Sequence, residues 1–336
     1  MSDNGVLILR AEEVARLLAG RELEVVAAVE ASYRAHGRGY SSLPHSTFLR
    51  FPGDEVNRII ALPAFLGDGF DLAGVKWIAS FPGNLARNLE RASALVVLNS
   101  PQTGRPFAVL EGSRISSQRT AASAALAARV LLRARAPAAL GLIGTGLINS
   151  EVVHYLLKLL PDIRRFLLFD LDGQRAARFC GALEEALPGA SVEVAPSPDD
   201  VLAQCPLVSF ATTAVRPHIA DLSRCPPGAV HLHISLRDLA PEAILACDNV
   251  VDDPDHVCRA QTSVHLAEQL AGHRDFIRCS LWQLLEDTAP AKRVDDEAVT
   301  VFSPFGLGVL DLAVSKLVYS QAVAEGLGTW IPSFFA

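Results

Sequence analysis

Two glycines one residue apart, with an acid a strand further on, form the strongest chemical signal in the sequence. Residues 138–143 (AALGLI) read as an apolar strand entering Gly144-Thr145-Gly146-Leu147-Ile148-Asn149, and a helical pattern begins at once. Gly144 permits a tight turn, and Gly146 lets backbone N–H groups at a helix N-terminus approach a pyrophosphate. Asn149 stands where a third glycine is usual. Asp170 ends the next strand, FLLFD, 26 positions after Gly144, where a carboxylate accepts from both ribose hydroxyls. It would repel a 2′-phosphate, and neither Leu171 nor Asp172 supplies a cation for one. NAD is therefore the expected cofactor, with Gly144, Thr145, Gly146, Leu147, Ile148 and Asp170 as its binding set. The competing reading is a glycine turn in a nucleotide-free α/β domain, with Asp170 capping the next helix.

In open α/β sheets ligands bind beyond the carboxyl ends of the strands. Thr212 and Thr213, after LVSFA, and Asp238, after AVHLHIS, lie on that edge. The two threonines touch the cofactor on one reading and cap a loop on the other. Two cations stand out elsewhere. Lys76 interrupts the apolar strand GVKWIASF, where it either snorkels to water or meets an anion. Arg119, read in the first turn of an Ala-rich helix, opposes the helix dipole, and is either a bidentate grip on a carboxylate or a solvated surface cation. His231 and His233 share a strand face, but two ligands do not make a metal site, and core histidines are expected. The run Asp252-Asp253-Pro254-Asp255 reads as a strand end and helix cap. Six scattered cysteines without a CxxC pair fit neither a zinc cage nor a disulfide scaffold. They are assigned no chemistry, and no metal is expected.

The elements that must position these groups come in two kinds. Helical patterns at 11–19 and 22–36 precede a sheet-rich block with strands at 48–51, 58–65, 74–81, 92–99 and 106–112. A long helix is predicted over 116–134, with Ser116 or Ser117 as N-cap. After Pro137, six short apolar strands (AALGLI, FLLFD, SVEVA, LVSFATT, AVHLHIS, NVVDD) alternate with helices, which predicts a parallel sheet covered on both faces. Two helical segments, one further strand (AVTVF) and a terminal helix over 310–324 complete the reading.

A chain of 336 residues is about two domains long. Half of it is apolar, 20% is charged, and it has neither an 18-residue uncharged apolar run nor a basic-then-apolar leader. Membrane spans, secretion and wholesale disorder are not expected, and a reducing cytoplasm is. The net charge of -7, with no basic run, argues against nucleic acid as a partner. Small-molecule chemistry is the remaining class.

Gly74-Val75-Lys76-Trp77, Phe81-Pro82-Gly83-Asn84, Arg119-Thr120-Ala121-Ala122, the GTGLIN loop and Ser303-Pro304-Phe305-Gly306 together resemble the ornithine cyclodeaminase/mu-crystallin family, over almost the whole chain. The resemblance implies an α/β fold: a Rossmann-fold parallel sheet domain over residues 118–299, inserted into a sheet-rich α+β substrate-binding and dimerisation domain over 1–117 and 300–336. It also implies a homodimer. By the same likeness Lys76 and Arg119 hold substrate carboxylate, Asp238 is the acid/base group, and Thr120 lies near the cofactor phosphates. Residues 57–63, 87–93 and 111–122 look most like the branch of the family that oxidises an amine joining glutamate to diaminopropionate, for siderophores or peptide products. Arg58, Arg91 and His45 are then further cations for its carboxylates. Two departures matter. Where many members carry an arginine this chain has Leu43-Pro44-His45, which implies a weaker, pH-dependent contact. Ser235-Leu236-Arg237-Asp238 lacks the glycine-rich context of the ornithine cyclodeaminases, which weighs against cyclisation. An ornithine cyclodeaminase, an alanine dehydrogenase or ketimine reductase, and a non-catalytic crystallin-like nucleotide binder are the competing assignments.

Overall fold

Alternating apolar residues build the first half of the chain into a sheet, and the computed structural model describes residues 4–133, 136–292 and 295–335. The chain opens with β1 (Val6–Leu9), α1 (Ala11–Leu18) and α2 (Glu22–Gly37). In α1 the spacing of Val14, Leu17 and Leu18 buries one stripe. The strands β2 (Ser41–Ser42), β3 (Thr47–Phe51), β4 (Asp54–Leu66), β5 (Leu72–Ser80), β6 (Ala92–Asn99) and β7 (Pro106–Glu111) follow. The antiparallel run β4-β5-β6-β7 pairs Leu62 with Lys76 and Lys76 with Val96, so these three share one face. That face is buried at Leu62, Val96 and Leu110. The opposite face carries Trp77 and its cross-strand partner Leu95, both exposed, as is Leu49.

The long helix α3 (Ser113–Leu132) begins three residues before its expected start. The cause is Glu111, whose carboxylate accepts from the N–H groups of Ser113 and Arg114 at 2.6 and 3.2 Å and so satisfies the helix end one turn early. Arg119 consequently lies in the second turn, and the dipole argument drawn from a first-turn position does not apply. The expected end at Ala134 falls outside the described residues.

The second unit is an all-parallel sheet: β8 (Leu140–Ile143), β9 (Arg165–Phe169), β10 (Ser191–Val194), β11 (Leu207–Phe210), β12 (Val230–His233), β13 (Asp248–Val251), β14 (Ile277–Ser280) and β15 (Thr300–Ser303). Its order is β10-β9-β8-β11-β12-β15-β13-β14, so the winding reverses between β8 and β11. Helices α4 (Leu147–Leu159), α5 (Gly173–Ala186), α6 (Pro198–Gln204), α7 (Pro241–Leu245), α8 (Pro254–Val257), α9 (Ser263–Ala271) and α10 (Leu281–Leu285) connect the strands. The short segment IRCS gave no strand signal in the sequence, yet forms β14.

The chain then returns to the first unit through α11 (Gly308–Glu325) and β16 (Thr329–Ile331), which pairs with β1. The first sheet thus reads β16-β1-β7-β6-β5-β4-β2, with β3 on β4. The units comprise Met1–Arg119 with Gly306–Ala336, and Thr120–Phe305. The parallel-sheet unit runs on to Phe305 because β15 is paired between β12 and β13 inside that sheet. Among the described residues no helix is long and apolar enough to cross a membrane.

Candidate active site

In the first unit Lys76 does not reach water. It is 2% exposed, and its Nζ donates to Asp311 Oδ2 at 2.7 Å and to Ser116 Oγ at 3.1 Å. Arg119, 9% exposed, donates through Nε to the other oxygen, Asp311 Oδ1, at 3.1 Å. Asp311 is fully buried, in the first turn of α11. Two cations therefore share one carboxylate, leaving a surplus positive charge in a dry place. Burial, and next the charge of Arg119, push the Lys76 ammonium down to about 8, against the pull of Asp311. Gly306 belongs to the same construction. Its φ is +94°, and a β-carbon there would stand 2.8 Å from the Arg119 guanidinium. Asp311 was not singled out in the sequence, although a lone acid in the apolar stretch GVLDLAV signals a buried partner.

The other cations of this unit are placed differently. Arg58 on β4 faces Ser80 on β5 across the sheet, and Ser80 pairs with Ala92 on β6. Arg91, next to Ala92, is half-buried and its Nε has no hydrogen-bond partner, as is true of Ser80 Oγ. Burial lowers the Arg91 pKa. Arg58 and Arg91 thus gather at the end of β5, four residues beyond Lys76. His45 is exposed, between β2 and β3.

In the second unit the glycine loop leaves β8 at the point where the winding reverses. Gly144 has φ +88°, and a β-carbon there would lie 2.5 Å from the Ala211 carbonyl oxygen. Gly146 is the N-cap of α4, and a β-carbon there would meet nothing within 4 Å. Open space over a helix N-terminus with no side chain to fill it fits a bound phosphate. Asn149 explains how the loop manages without a third glycine. It is fully buried, and its Nδ2 donates to the carbonyls of Gly144 at 2.6 Å and Ile143 at 3.2 Å, while its Oδ1 accepts from Ser209 Oγ at 2.7 Å. A side chain thereby ties β8, the loop and β11 together.

Asp170 follows β9 and accepts from Thr145 N and Thr145 Oγ1, each at 2.8 Å, on one oxygen, and from Asp172 N at 2.9 Å on the other. Burial raises its pKa, but the N–H donors outweigh that and keep it below the usual carboxylate value. Helix α5 is capped by Asp172, not Asp170, so the capping alternative for Asp170 is removed. Leu147 is exposed, Ile148 half-buried, and Thr120 half-buried at the start of this unit.

Beyond β11 and β12 stands a fully buried carboxylate, Asp238. Thr212 Oγ1 donates to its Oδ1 at 2.5 Å, and Ser235 Oγ donates to its Oδ2. His233 Nε2 lies 3.3 Å from Oδ2, and His218 Nε2 lies 3.3 Å from Oδ1. Burial pushes the Asp238 carboxyl up, but His233 and the hydroxyls of Ser235 and Thr212 prevail and hold it well below the usual range. The loop is strained as well: Leu236 has φ +66°, held by a 2.7 Å bond from Ser263 N to its carbonyl. Thr213 is exposed and outside this network. His231 is fully buried against Phe210, neither ring nitrogen has a partner, and burial pushes it down to about 3. Among the described residues no group of three or more His, Cys, Asp or Glu could hold a metal. Burial pushes the thiols of Cys205 and Cys279 up to about 11, which makes them inert.

A parallel doubly wound sheet with a glycine turn at its reversal, in a chain whose first unit carries a buried cation cluster, defines a two-domain dinucleotide-binding class of protein. The ornithine cyclodeaminase/mu-crystallin family model matches residues 6–326, and the chain belongs to that family. It is 29% identical over 310 residues to the N-((2S)-2-amino-2-carboxyethyl)-L-glutamate dehydrogenase of Staphylococcus aureus, covering 90% of this chain and 91% of that protein. An archaeal alanine dehydrogenase dimer with bound NAD superposes with a TM-score of 0.87 at 28% identity, over 98% of this chain and all of that one. The Delta(1)-pyrroline-2-carboxylate reductase of Thermococcus litoralis gives a TM-score of 0.88 at 23% identity, over 96% and 99% of the two chains; it bears on the fold alone.

Proposed function

We propose that this chain is an NAD-dependent amino-acid dehydrogenase that oxidises N-(2-amino-2-carboxyethyl)-L-glutamate, releasing L-2,3-diaminopropionate and 2-oxoglutarate for siderophore or peptide natural products. The observation that carries the reading is the surplus buried cation at Lys76 and Arg119, which among the described residues share the one carboxylate of Asp311. A buried, incompletely paired ammonium is costly, so the site is built to receive an anion. The amine-linked substrate brings several carboxylates, and Arg58, Arg91 and His45 answer the others. The dehydrogenase of Staphylococcus aureus, similar over nine tenths of this chain, supports the choice of substrate.

NAD, at Gly144, Thr145, Gly146, Leu147 and Ile148 with Asp170 at its ribose, supplies the hydride acceptor. The protein's own task is to fix the carboxylates, keep water from the reacting carbon until the imine forms, and manage protons at the Asp238 cluster. Thr212 holds the Asp238 carboxylate, while Thr120 and Thr213 are assigned to the cofactor's surroundings. The exposed Trp77–Leu95 face of the first sheet is assigned to a homodimer, the state named for the alanine dehydrogenase neighbour.

The test is accumulation of reduced nicotinamide with purified protein and NAD, comparing the linked substrate with L-alanine, L-proline and L-ornithine. Accumulation with the linked substrate alone supports the assignment. Consumption of ornithine without net reduction marks a cyclodeaminase, and reduction with alanine only an alanine dehydrogenase. Binding of NAD with no turnover marks a crystallin-like binder.

A further inference from the structure

Oxidising a secondary ammonium to a ketone and a primary ammonium releases one proton per turnover, so the site needs a group that both accepts a proton and reaches solvent. Asp238 reaches nothing outside the protein: it is fully buried, and all four groups around its two oxygens are its own protein's hydroxyls and imidazoles. One of those four is different. His218 is 41% exposed in its side chain and turns Nε2 toward Asp238 Oδ1, 3.3 Å away. Its segment is anchored for that purpose. The N–H groups of His218 and Ile219 both donate to the Asp238 carbonyl at 2.9 Å, Ala240 N donates back to Ile219 O at 2.7 Å, and Ile219 bridges Leu239 as a one-residue parallel ladder.

We infer that His218 is the proton-exchanging residue of this site, working through Nδ1, and that Asp238 is the positioning residue that holds its Nε2–H and stabilises the imidazolium. The inference rests on the dehydrogenase reading above and deepens it. A carboxylate already loaded with Thr212 and Ser235 hydroxyl donors is a weak base, whereas an imidazole pinned at one nitrogen presents the other as an acceptor. The steps balance. His218 Nδ1 takes a proton from the secondary ammonium. Loss of the glutamate Cα–H as hydride, for which a bound dinucleotide would be the acceptor, then leaves a protonated imine. Water adds at that carbon, the C–N bond breaks as the C=O forms, and the departing nitrogen leaves as an ammonium. One proton is left over and passes to solvent from His218. His233 has a different role, since its Nδ1 faces Ser303 Oγ at 3.2 Å and its ring is fully buried.

The experiment has two arms. Protein labelled with ¹⁵N-histidine, with the His218 signal identified by its loss in His218→Gln, reports the neutral tautomer without cofactor or substrate. The Nε2–H form is expected, with that preference reduced in Asp238→Asn; an Nδ1–H form in the unsubstituted protein would overturn the inference. In the second arm His218→Ala lowers turnover about 100-fold or more, and added imidazole restores it at least about tenfold while KM for the amino acid stays put. Full turnover in His218→Ala, or loss that imidazole cannot relieve, refutes the role of His218 while leaving the dehydrogenase reading intact. If the unsubstituted protein oxidises none of the four amino acids, that reading fails, and the tautomer arm still judges the His218–Asp238 pair.

Discussion

Lys76 shows how one side chain sets opposing demands on stability and binding. Its pKa is near 10.5 in an unfolded chain and about 8 here. Between those values the unfolded state binds the extra proton, so this residue makes stability rise with pH from about 8 to 10.5. Deprotonated, it leaves Arg119 and Asp311 as a matched pair. If Lys76 holds a substrate carboxylate, as proposed above, that contact needs its ammonium; KM for an anionic amino acid is then expected to climb above about pH 8, and Lys76→Arg should remove that climb, whereas a flat profile in the unsubstituted protein would separate Lys76 from the substrate. Asp311→Ala, which leaves both cations buried without their counter-ion, is expected to cost about 3–5 kcal/mol in denaturant unfolding. Part of that loss should return with 2-oxoglutarate in the buffer. Lys76 and Arg119 were legible in the sequence as cations in the wrong surroundings, but their common partner was not. It lies 235 and 192 positions away, beyond the reach of any local pattern.

At the level of elements, the glycine loop was legible because strand, turn, helix and acid fall in order along the chain. The missing glycine was legible only as an absence, since what Asn149 does depends on carbonyls contributed by β8 and the loop and on a hydroxyl from β11. Asn149→Ala is expected to lower stability by about 1–3 kcal/mol, the scale of several lost buried hydrogen bonds, and Asn149→Asp, which sets a buried carboxylate oxygen against the same carbonyls, is expected to weaken NAD binding further in thermal-shift titration. Replacing Asp170 with alanine and placing an arginine at Leu171 should move the cofactor preference toward NADP, since the residue that repels a 2′-phosphate is exchanged for one that attracts it. Equal affinities before and after would dissociate Asp170 from the ribose. Glu111 teaches the same lesson for α3: the serines at 116 and 117 have the right chemistry for a cap, but a carboxylate one turn upstream already satisfied the helix end.

For the whole molecule, the alternation of strands and helices announced the parallel sheet, while the short strands β1, β14 and β16 carried too few residues to betray a period. β15 was visible as a strand but not as a member of that sheet, because its neighbours β12 and β13 come from far upstream. The exposed Trp77–Leu95 pair makes a global prediction. Trp77→Glu with Leu95→Lys should turn a dimer into a monomer in sedimentation while secondary structure is kept, since both side chains are exposed cross-strand partners on the face opposite the buried one; an unchanged mass would place the subunit contact elsewhere.

The long sequence gap between the two cations and their shared acid also orders events at the ribosome. Synthesis proceeds at roughly 5–20 residues per second, so the nascent chain carries Lys76 and Arg119 for some seconds before residue 311 emerges. The parallel-sheet unit is one unbroken segment and is complete first. The cation cluster therefore closes only after the parallel-sheet unit is complete, with the pairing of β16 on β1 still to follow, and a stall before residue 311 emerges leaves it open.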